Sequence, residues 1–552
     1  MNHYSDVCQI LKSYRAFISD DSRLVGYRDI FVVTKRNIEF VNLAISVQVK
    51  ILIVESSIAE NVKSMVAQNS QSTSQSVSVL ANVDRTDEVL KTVLTESDVA
   101  NLKKNEVGVI SVDDLEENLH KILQQYYSPT VKNIMCVTGT NGKTSTAMFV
   151  RQFLTLLQKN VASITTIGVS INDESELIFN TGLTAPSICD MHRILHTMSS
   201  KFNAEYAVFE ASSHGIDQGR MLGLDIKVAG FTNLSQDHLD YHGTMENYFA
   251  TKSRLFSEYL ADGGVAVVNA DAEEFDHLNN ICKKRGIKVI GYGFKGGELK
   301  LINFTSNFNG QAFNVEYEGE TYASTTSIVG NFQIHNILCA IGMLSAFGIS
   351  PKVTIPLISQ LQAPAGRLQK IMHDNKFANI FVDYAHTPDA LERALMSLKN
   401  HRQGKTIVVF GCGGERDKSK RGIMGEIAAL NADVVIVTDD NPRGEDPSEI
   451  RKDIISGIKR LREREMEDLM GKGTMSVLSA MQAEKSKLIE VTSNRKEAIT
   501  QSVNMCGPDD VVLIAGKGHE NYQIIDSQRI PFSDCDVAIE ACLKKEANSG
   551  NQ

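Results

Sequence analysis

The chain of 552 residues is long enough for roughly three domains at ~150 residues each. Its 42% apolar content suits a soluble globular protein, and its net charge of −10 argues against nonspecific nucleic-acid binding, which needs a basic face. Nine scattered cysteines without a CxxC pair, no apolar leader between Met1 and Ile18, and no apolar run near the ~20 residues of a bilayer span predict a reduced, cytoplasmic protein with no structural zinc and no membrane contact.

Residues 1–130 read as a small α/β domain. Strands are expected at Ile30–Val33, Lys50–Val54 and Val107–Val112, with helices at Phe40–Val47 and Asp114–Tyr127. Asn61–Lys104 is rich in Ser, Thr, Gln and Asn and reads as a variable insertion carrying some helix.

The stretch Asn133-Ile-Met-Cys-Val-Thr-Gly139-Thr140-Asn141-Gly142-Lys143-Thr144-Ser145 is the most informative in the chain. A short apolar strand runs into two glycines, a lysine and two hydroxyls. Phe149, Val150, Phe153, Leu154 and Leu157 follow at helical spacing. Strand, glycine turn and helix N-terminus make a phosphate cradle, because glycine lets backbone N–H groups approach an anion that the helix end also attracts. Gly139 stands only three residues before Gly142, so the loop is shorter than the common P-loop. ATP is the expected ligand, with Lys143, exposed in the empty site, supplying a charge for the terminal phosphates and Thr144 able to hold Mg²⁺.

Residues 131–364 alternate strand and helix, predicting a mostly parallel sheet whose ligands gather at the carboxyl ends of the strands. Glu210 ends the Tyr206–Phe209 strand, where it is either a Mg²⁺ ligand or a solvated loop carboxylate. The Asn233–Gly243 loop carries Asp237, His238, Asp240 and His242, a metal shell or merely polar turns. A helix is expected over Met245–Leu260. Lys252 lies on its apolar face, where desolvation would free a reactive amine unless the chain snorkels to the surface. Gln333 and Asn336, just before an Ile337–Phe347 helix, read as caps or as adenine-reading amides.

Residues 365–552 alternate again. Four strand ends carry Asp383–Asp389, Gly411–Asp417, Thr438–Arg443 and Gly516–Glu520, which together read as one composite site. Lys459–Leu488 reads as a charged helical insertion.

In combination these motifs resemble the Mur ligases, the ATP-dependent amide-bond ligases of peptidoglycan precursor synthesis. They run from Thr138-Gly-Thr-Asn-Gly-Lys-Thr144 through Glu210-Ala-Ser-Ser-His-Gly215 and Asp383-Tyr-Ala-His-Thr-Pro-Asp389 to Asp440-Asn-Pro-Arg443 and Gly516-Lys-Gly-His-Glu520. The branch most similar adds the third peptide residue. The resemblance implies an α/β protein of three domains: a UDP-binding domain (1–130), a central P-loop-type ATPase (131–364) and a Rossmann-like amino-acid-binding domain (365–552).

It further implies that Gly139, Thr140, Asn141, Gly142, Lys143, Thr144, Ser145, Asn336, Arg367 and Asp383 serve ATP. Thr144, Glu210, His238 and Lys252 would hold Mg²⁺, two ions in all, with Lys252 carried as a carbamate. Ser22, Thr184, Ala185, Ser212, Gln218 and Arg220 would meet UDP-N-acetylmuramoyl-L-alanyl-D-glutamate. Arg416, Asp440, Asn441, Pro442, Arg443, Gly516 and Glu520 would meet meso-diaminopimelate. Ala185 stands where a second Thr is usual, Gln333 where Asn is usual and Glu415 where Asp is common, and no Gly-rich UDP pattern is recognisable at Thr34–Asn37. A monomer is expected. The alternatives are the same ligase using L-lysine or another amino acid, and a nucleotide-binding protein that has lost ligation.

Overall fold

A computed structural model describes residues 18–20, 30–35, 37–41, 44, 49, 51–73, 76–83, 106–172, 184–307, 310–371, 379–399, 401–469, 487–490, 494–526 and 528–549. Three large sheets and a two-stranded ribbon, Tyr522–Ile525 with Gln528–Pro531, organise them, and the fold is α/β with mostly parallel pairing.

The first sheet is parallel throughout, in the order Ile18–Ser19, Ile30–Val33, Ile51–Glu55, Glu106–Val112, Ser76–Val83. Ser76–Val83 and the Ala59–Thr73 helix lie inside the expected insertion. This part of it is an integral βα unit, because the strand completes the sheet edge beside Glu106–Val112. Residues 84–105 lie outside the described residues, as does most of the expected Phe40–Val47 helix.

The central sheet has ten strands. Its parallel heart runs Lys288–Gly293, Leu260–Asn269, Ile226–Phe231, Asn133–Thr138, Tyr206–Glu210, Val161–Thr165. Beyond Lys288–Gly293 an antiparallel meander of Leu299–Asn307, Gly310–Tyr317 and Glu320–Thr326 extends the edge. The Lys143–Leu156 helix packs on one face of this sheet beside the Asn331–Ser345 helix, which leaves Phe149 and Phe153 fully buried. Burial of each such side chain is worth about 1.5–3 kcal/mol.

Two expected helices differ in extent. The Met245–Leu260 helix is α only to Arg254. A wider π turn over Leu255–Tyr259 then keeps Leu255, Phe256 and Tyr259 on the buried side, and Leu260 opens a strand beside Ile226. The second helix begins at Asn331, so Gln333 and Asn336 lie in its first turns, and Gly330 supplies no side-chain cap.

The third sheet runs Gln369–Lys370, Asn379–Asp383, Val511–Ala515, Thr406–Phe410, Val434–Val437, Lys487–Glu490, parallel except for its first pair. The expected charged insertion divides. Its start continues the Pro447–Leu469 helix, which buries Ile450, Ile454, Ile458 and Leu461, and Lys487–Glu490 is an edge strand. Residues 470–486 lie outside the described residues. No helix of the described residues is long and apolar enough to cross a membrane.

Candidate active site

The glycine loop is held from the next strand end. Thr140 N–H donates to the Asn233 carbonyl (2.9 Å), the Asn233 side chain accepts from Asn141 N–H (3.0 Å), and Thr232 Oγ1 donates to the Asn141 carbonyl (2.6 Å). Gly139 has φ +145°, and a Cβ there would lie 2.0 Å from Thr232 Oγ1. Gly142 has φ +88°, and its Cβ would lie 2.3 Å from Asn336 Oδ1. Both positions therefore demand glycine, for conformation and for space. Ser145 is buried in the first turn of the helix that Lys143 opens.

Lys143 does not project freely. Its Nζ donates to the Gly139 and Thr140 carbonyls at 2.8 and 2.6 Å, and desolvation lowers its pKa. A lone ammonium within its own loop finds the nearest carbonyls, which sequence spacing does not reveal.

Glu210, 1% exposed, is buried at its strand end in register with Val137. Its Oε1 accepts from Thr144 Oγ1 (2.8 Å) and Thr166 N–H (2.8 Å), and Thr166 Oγ1 lies 3.2 Å from both carboxylate oxygens. Thr166 was not foreseen; only its place at the end of Val161–Thr165 could have signalled it. Carboxylate and hydroxyl oxygens suit a hard cation such as Mg²⁺. Among the described residues no group of three or more His, Cys, Asp and Glu is placed to hold a metal. A cation here would thus draw on Glu210, Thr144 and the phosphates themselves.

Lys252 is 1% exposed, so it is buried and does not snorkel. Its Nζ donates to the Gly139 carbonyl (2.9 Å) and lies 4.5 Å from the Tyr248 ring centroid. Desolvation, reinforced by Lys143, drives its pKa well below 10.5. His238 is exposed, with φ +52°, and its ring packs edge-on against His214 with centroids 4.9 Å apart. Burial of part of the ring keeps the imidazole toward its neutral form, with Asp237 opposing.

From the third sheet, Arg367 Nη2 donates to Thr144 Oγ1 (3.0 Å), and its guanidinium lies 4.7 Å from the Tyr384 ring centroid. Asp383 accepts from Leu368 N–H (2.6 Å) and Ala385 N–H (2.8 Å), and burial raises its pKa. The Asn336 amide donates to Gln333 Oε1 (2.9 Å), so these amides bind one another and do not cap the helix.

Lys143, Thr144, Glu210, His238, Lys252, Asn336, Arg367 and Asp383 all line one cavity of about 550 Å³, together with Thr184 and Ser212. Its far wall contains Phe294, Phe304 and His335, the last on Asp271 at 2.9 Å. None of these four was foreseen: Asp271 and Phe294 follow strand ends, Phe304 lies in a strand and His335 in the first turns of a helix, far apart in sequence.

Thr140, Asn141, Gly142 and Ser145 line it too, and the other predicted residues that are described lie off this cavity. Arg220 donates to Gln218 Oε1 (2.6 and 3.0 Å) and to the Ala185 carbonyl (2.6 Å), a compact group next to Ser212. Ser22 lies outside the described residues. In the third sheet, Glu520 accepts from Lys517 Nζ (2.8 Å) and Asn441 Nδ2 (2.9 Å), while Lys517 Nζ also reaches Asn441 Oδ1 (3.0 Å). Glu520, expected to meet diaminopimelate, thus already has a cation of its own, the fully buried Lys517. Asp440 is buried, 3.7 Å from Lys517 Nζ, and Gly516 has φ +115°. Arg443, at φ +53°, donates to the Gly414 carbonyl (2.8 Å) beside Pro442, and Arg416 is exposed.

Residues 137–344 match the Mur ligase middle domain and residues 366–518 the Mur ligase, glutamate ligase domain. The UDP-N-acetylmuramoyl-L-alanyl-D-glutamate–2,6-diaminopimelate ligase of Rickettsia montanensis is 42% identical over 451 residues, 81% of this chain and 87% of its own. A solved structure of a ligase of that same name is 29% identical, covers 96% of this chain and 95% of its own, and superposes with a TM-score of 0.59. MurF ligase from Thermotoga maritima, at 16% identity, covers 97% of this chain and 99% of its own with a TM-score of 0.58, a likeness of fold alone. The chain belongs to the Mur ligase family.

Proposed function

We propose that this protein is an ATP-dependent amide ligase that joins meso-2,6-diaminopimelate to UDP-N-acetylmuramoyl-L-alanyl-D-glutamate, in cytoplasmic peptidoglycan precursor synthesis. The observation that carries the reading is the shared cavity. The glycine loop, the buried Glu210 and two lysines face Arg367 and Asp383 of the third sheet across it. The names of the relatives support the amino acid.

The substrate's D-glutamyl carboxylate attacks the γ-phosphorus of ATP, and ADP leaves. The amine of diaminopimelate then attacks the acyl phosphate, forms the C–N bond, expels phosphate and loses a proton. Lys143 swings from its own loop carbonyls to the phosphates and offsets charge on the moving phosphoryl group, as do the N–H groups of Gly142 to Thr144, those of Thr140 and Asn141 being held by Asn233. Mg²⁺, bound through Thr144 and Glu210, would supply further charge neutralisation. Arg367 is placed to take phosphate oxygens when it leaves Thr144 Oγ1.

Lys252 is read as a carbamate. Its neutral amine attacks CO₂, a C–N bond forms, and the nitrogen's proton passes to solvent. The anionic product, with His238, would offer ligands for a second Mg²⁺. Thr184, Ala185, Ser212, Gln218 and Arg220 would hold the muramoyl dipeptide, and the Asp440–Arg443 and Gly516–Glu520 loops the amino acid. The assigned domains are 1–130, 131–364 and 365–552, in a monomer.

The test is phosphate release with the muramoyl dipeptide and a panel of amino acids. Turnover that needs both substrates and favours diaminopimelate is expected. ATP use that ignores either substrate, or a preference for lysine, would overturn the reading.

A further inference from the structure

The Pro388–Lys399 helix of the third sheet's unit opens with an acid that reaches into the glycine loop of the central one. Asp389 Oδ2 accepts from Asn141 Nδ2 (3.0 Å) and from Ser235 Oγ (3.0 Å). Its other oxygen accepts from Arg393 Nε (2.9 Å). Asn141 and Ser235 are joined to each other as well, at 3.3 Å. Asn141 is the residue before Gly142, and its backbone is pinned by Thr232 and Asn233. Its side chain is therefore the glycine loop's outward contact.

We propose that Asp389 is a positioning residue that latches the amino-acid-binding unit onto the phosphate loop. The carboxylate gains two donors only when the units are together. A charge-assisted bond is roughly twice as strong as a neutral one, so an acid holds this junction where an amide would not. The latch sets the amine-delivering loops against the reacting carboxylate and keeps water from the acyl phosphate. Latching should matter little for holding ATP: Asp389 does not line the nucleotide cavity, and Asn141, which does, keeps its backbone bonds to Thr232 and Asn233 when the acid is lost. This rests on the ligase reading above.

The test compares the parent with Asp389→Asn and Asp389→Ala. Three quantities are read: KM for ATP, kcat, and the ratio of phosphate released to tripeptide formed. The expected result is a kcat about tenfold lower in Asp389→Asn, an ATP KM within twofold of the parent, and a phosphate-to-product ratio that rises severalfold as the acyl phosphate meets water. A ratio and kcat equal to the parent's would overturn the latch. So would a KM for ATP that rises as far as kcat falls, which would make Asp389 part of the nucleotide pocket.

A parent that forms no tripeptide would sink the ligase reading instead. Hydrogen exchange in the full chain then decides the latch. Residues 388–399 should exchange more slowly in the parent than in Asp389→Ala, with or without AMPPNP and MgCl₂. Equal exchange in both overturns the latch.

Discussion

Lys143 and Lys252 donate to one oxygen. The Gly139 carbonyl receives Lys143 Nζ at 2.8 Å and Lys252 Nζ at 2.9 Å. Two ammonium groups sharing an acceptor in a water-poor pocket repel one another strongly, and one of them is better neutral. Lys252 is the more buried, and its pKa is driven the further down. A neutral amine still has an N–H to donate, so the hydrogen bond survives the loss of charge. On the proposed reading the pair thus keeps one cation, Lys143, for phosphate and one neutral amine, Lys252, for CO₂.

Lys252 should therefore react with CO₂ at neutral pH. In the parent incubated with ¹³C-bicarbonate, a carbamate carbon resonance is expected and should vanish in Lys252→Ala. Ligation should fall at least a hundredfold in that variant and recover in part with a small added carboxylate. An unlabelled parent, or an unimpaired variant, removes the carbamate.

Lys143→Ala should fold normally and lose about 10²–10³ of kcat, the usual cost of removing one preorganised charge from a developing anion. The side chain is only part-buried and bonds its own loop, so the melting temperature should move little. Near-parental turnover would end the assignment of the loop to ATP.

Glu210→Gln should leave the cavity's shape while weakening its hold on Mg²⁺. Thr144 and Thr166 keep an acceptor in the amide oxygen, but the anion is gone. The Mg²⁺ concentration for half-maximal turnover should rise tenfold or more, ~1.4 kcal/mol. An unchanged Mg²⁺ titration would take Glu210 out of the metal site.

Acid should destabilise the fold partly through His192. It is 5% exposed, its Nε2 lies 3.0 Å from the Leu222 carbonyl, and burial lowers its pKa from 6.5 to about 4. The unfolded chain takes up a proton near pH 6.5 that the folded chain refuses until about 4, so this contribution is complete above 6.5 and is lost as pH falls toward 4. The gap corresponds to about 3 kcal/mol. Urea melts from pH 7 to 4 should show a flatter decline in His192→Gln than in the parent.

The chemistry-bearing segments were legible where local pattern and chemistry coincide. Glycines, lysine and hydroxyls between an apolar strand and an amphipathic helix announce a phosphate loop, and Glu210 announces itself by ending a buried strand. Helical spacing placed Lys252 on an apolar face but left open whether it stays buried there, which its 1% exposure decides. The meander Leu299–Thr326 went unread: its strands alternate polar and apolar side chains, itself a strand signal, but lack the continuous apolar runs that mark the buried parallel strands. Thr166, Asp271, His335 and Asp389 stayed hidden for another reason. Each meets its partner across 44 to 248 residues of chain, and nothing local distinguishes them from ordinary polar positions. Lys517 is the instructive miss: a buried lysine next to Glu520 takes the partner that sequence reasoning reserved for the substrate.

The last prediction is amino-acid choice, and it turns on Arg443. meso-Diaminopimelate differs from lysine by a second carboxylate at its far end, where a selective site must offer a cation. Arg443 sits at a left-handed turn, its backbone fixed by Ile524 and Asp526 and its guanidinium on the Gly414 carbonyl at 2.8 Å. A carbonyl satisfies one edge of a guanidinium and leaves others for a bidentate carboxylate. Glu520, held by Lys517 and Asn441, keeps its pKa below the ordinary value and stays anionic, able to attract an ammonium. A half-made charge pair costs about 2–5 kcal/mol, so lysine should be disfavoured by roughly a hundredfold or more. Arg443→Ala should raise KM for diaminopimelate far more than KM for ATP and narrow its advantage over lysine. The deciding measurement is kcat/KM for both amino acids in parent and variant. Unchanged discrimination in Arg443→Ala would move the selective cation elsewhere, with the exposed Arg416 the next residue to replace.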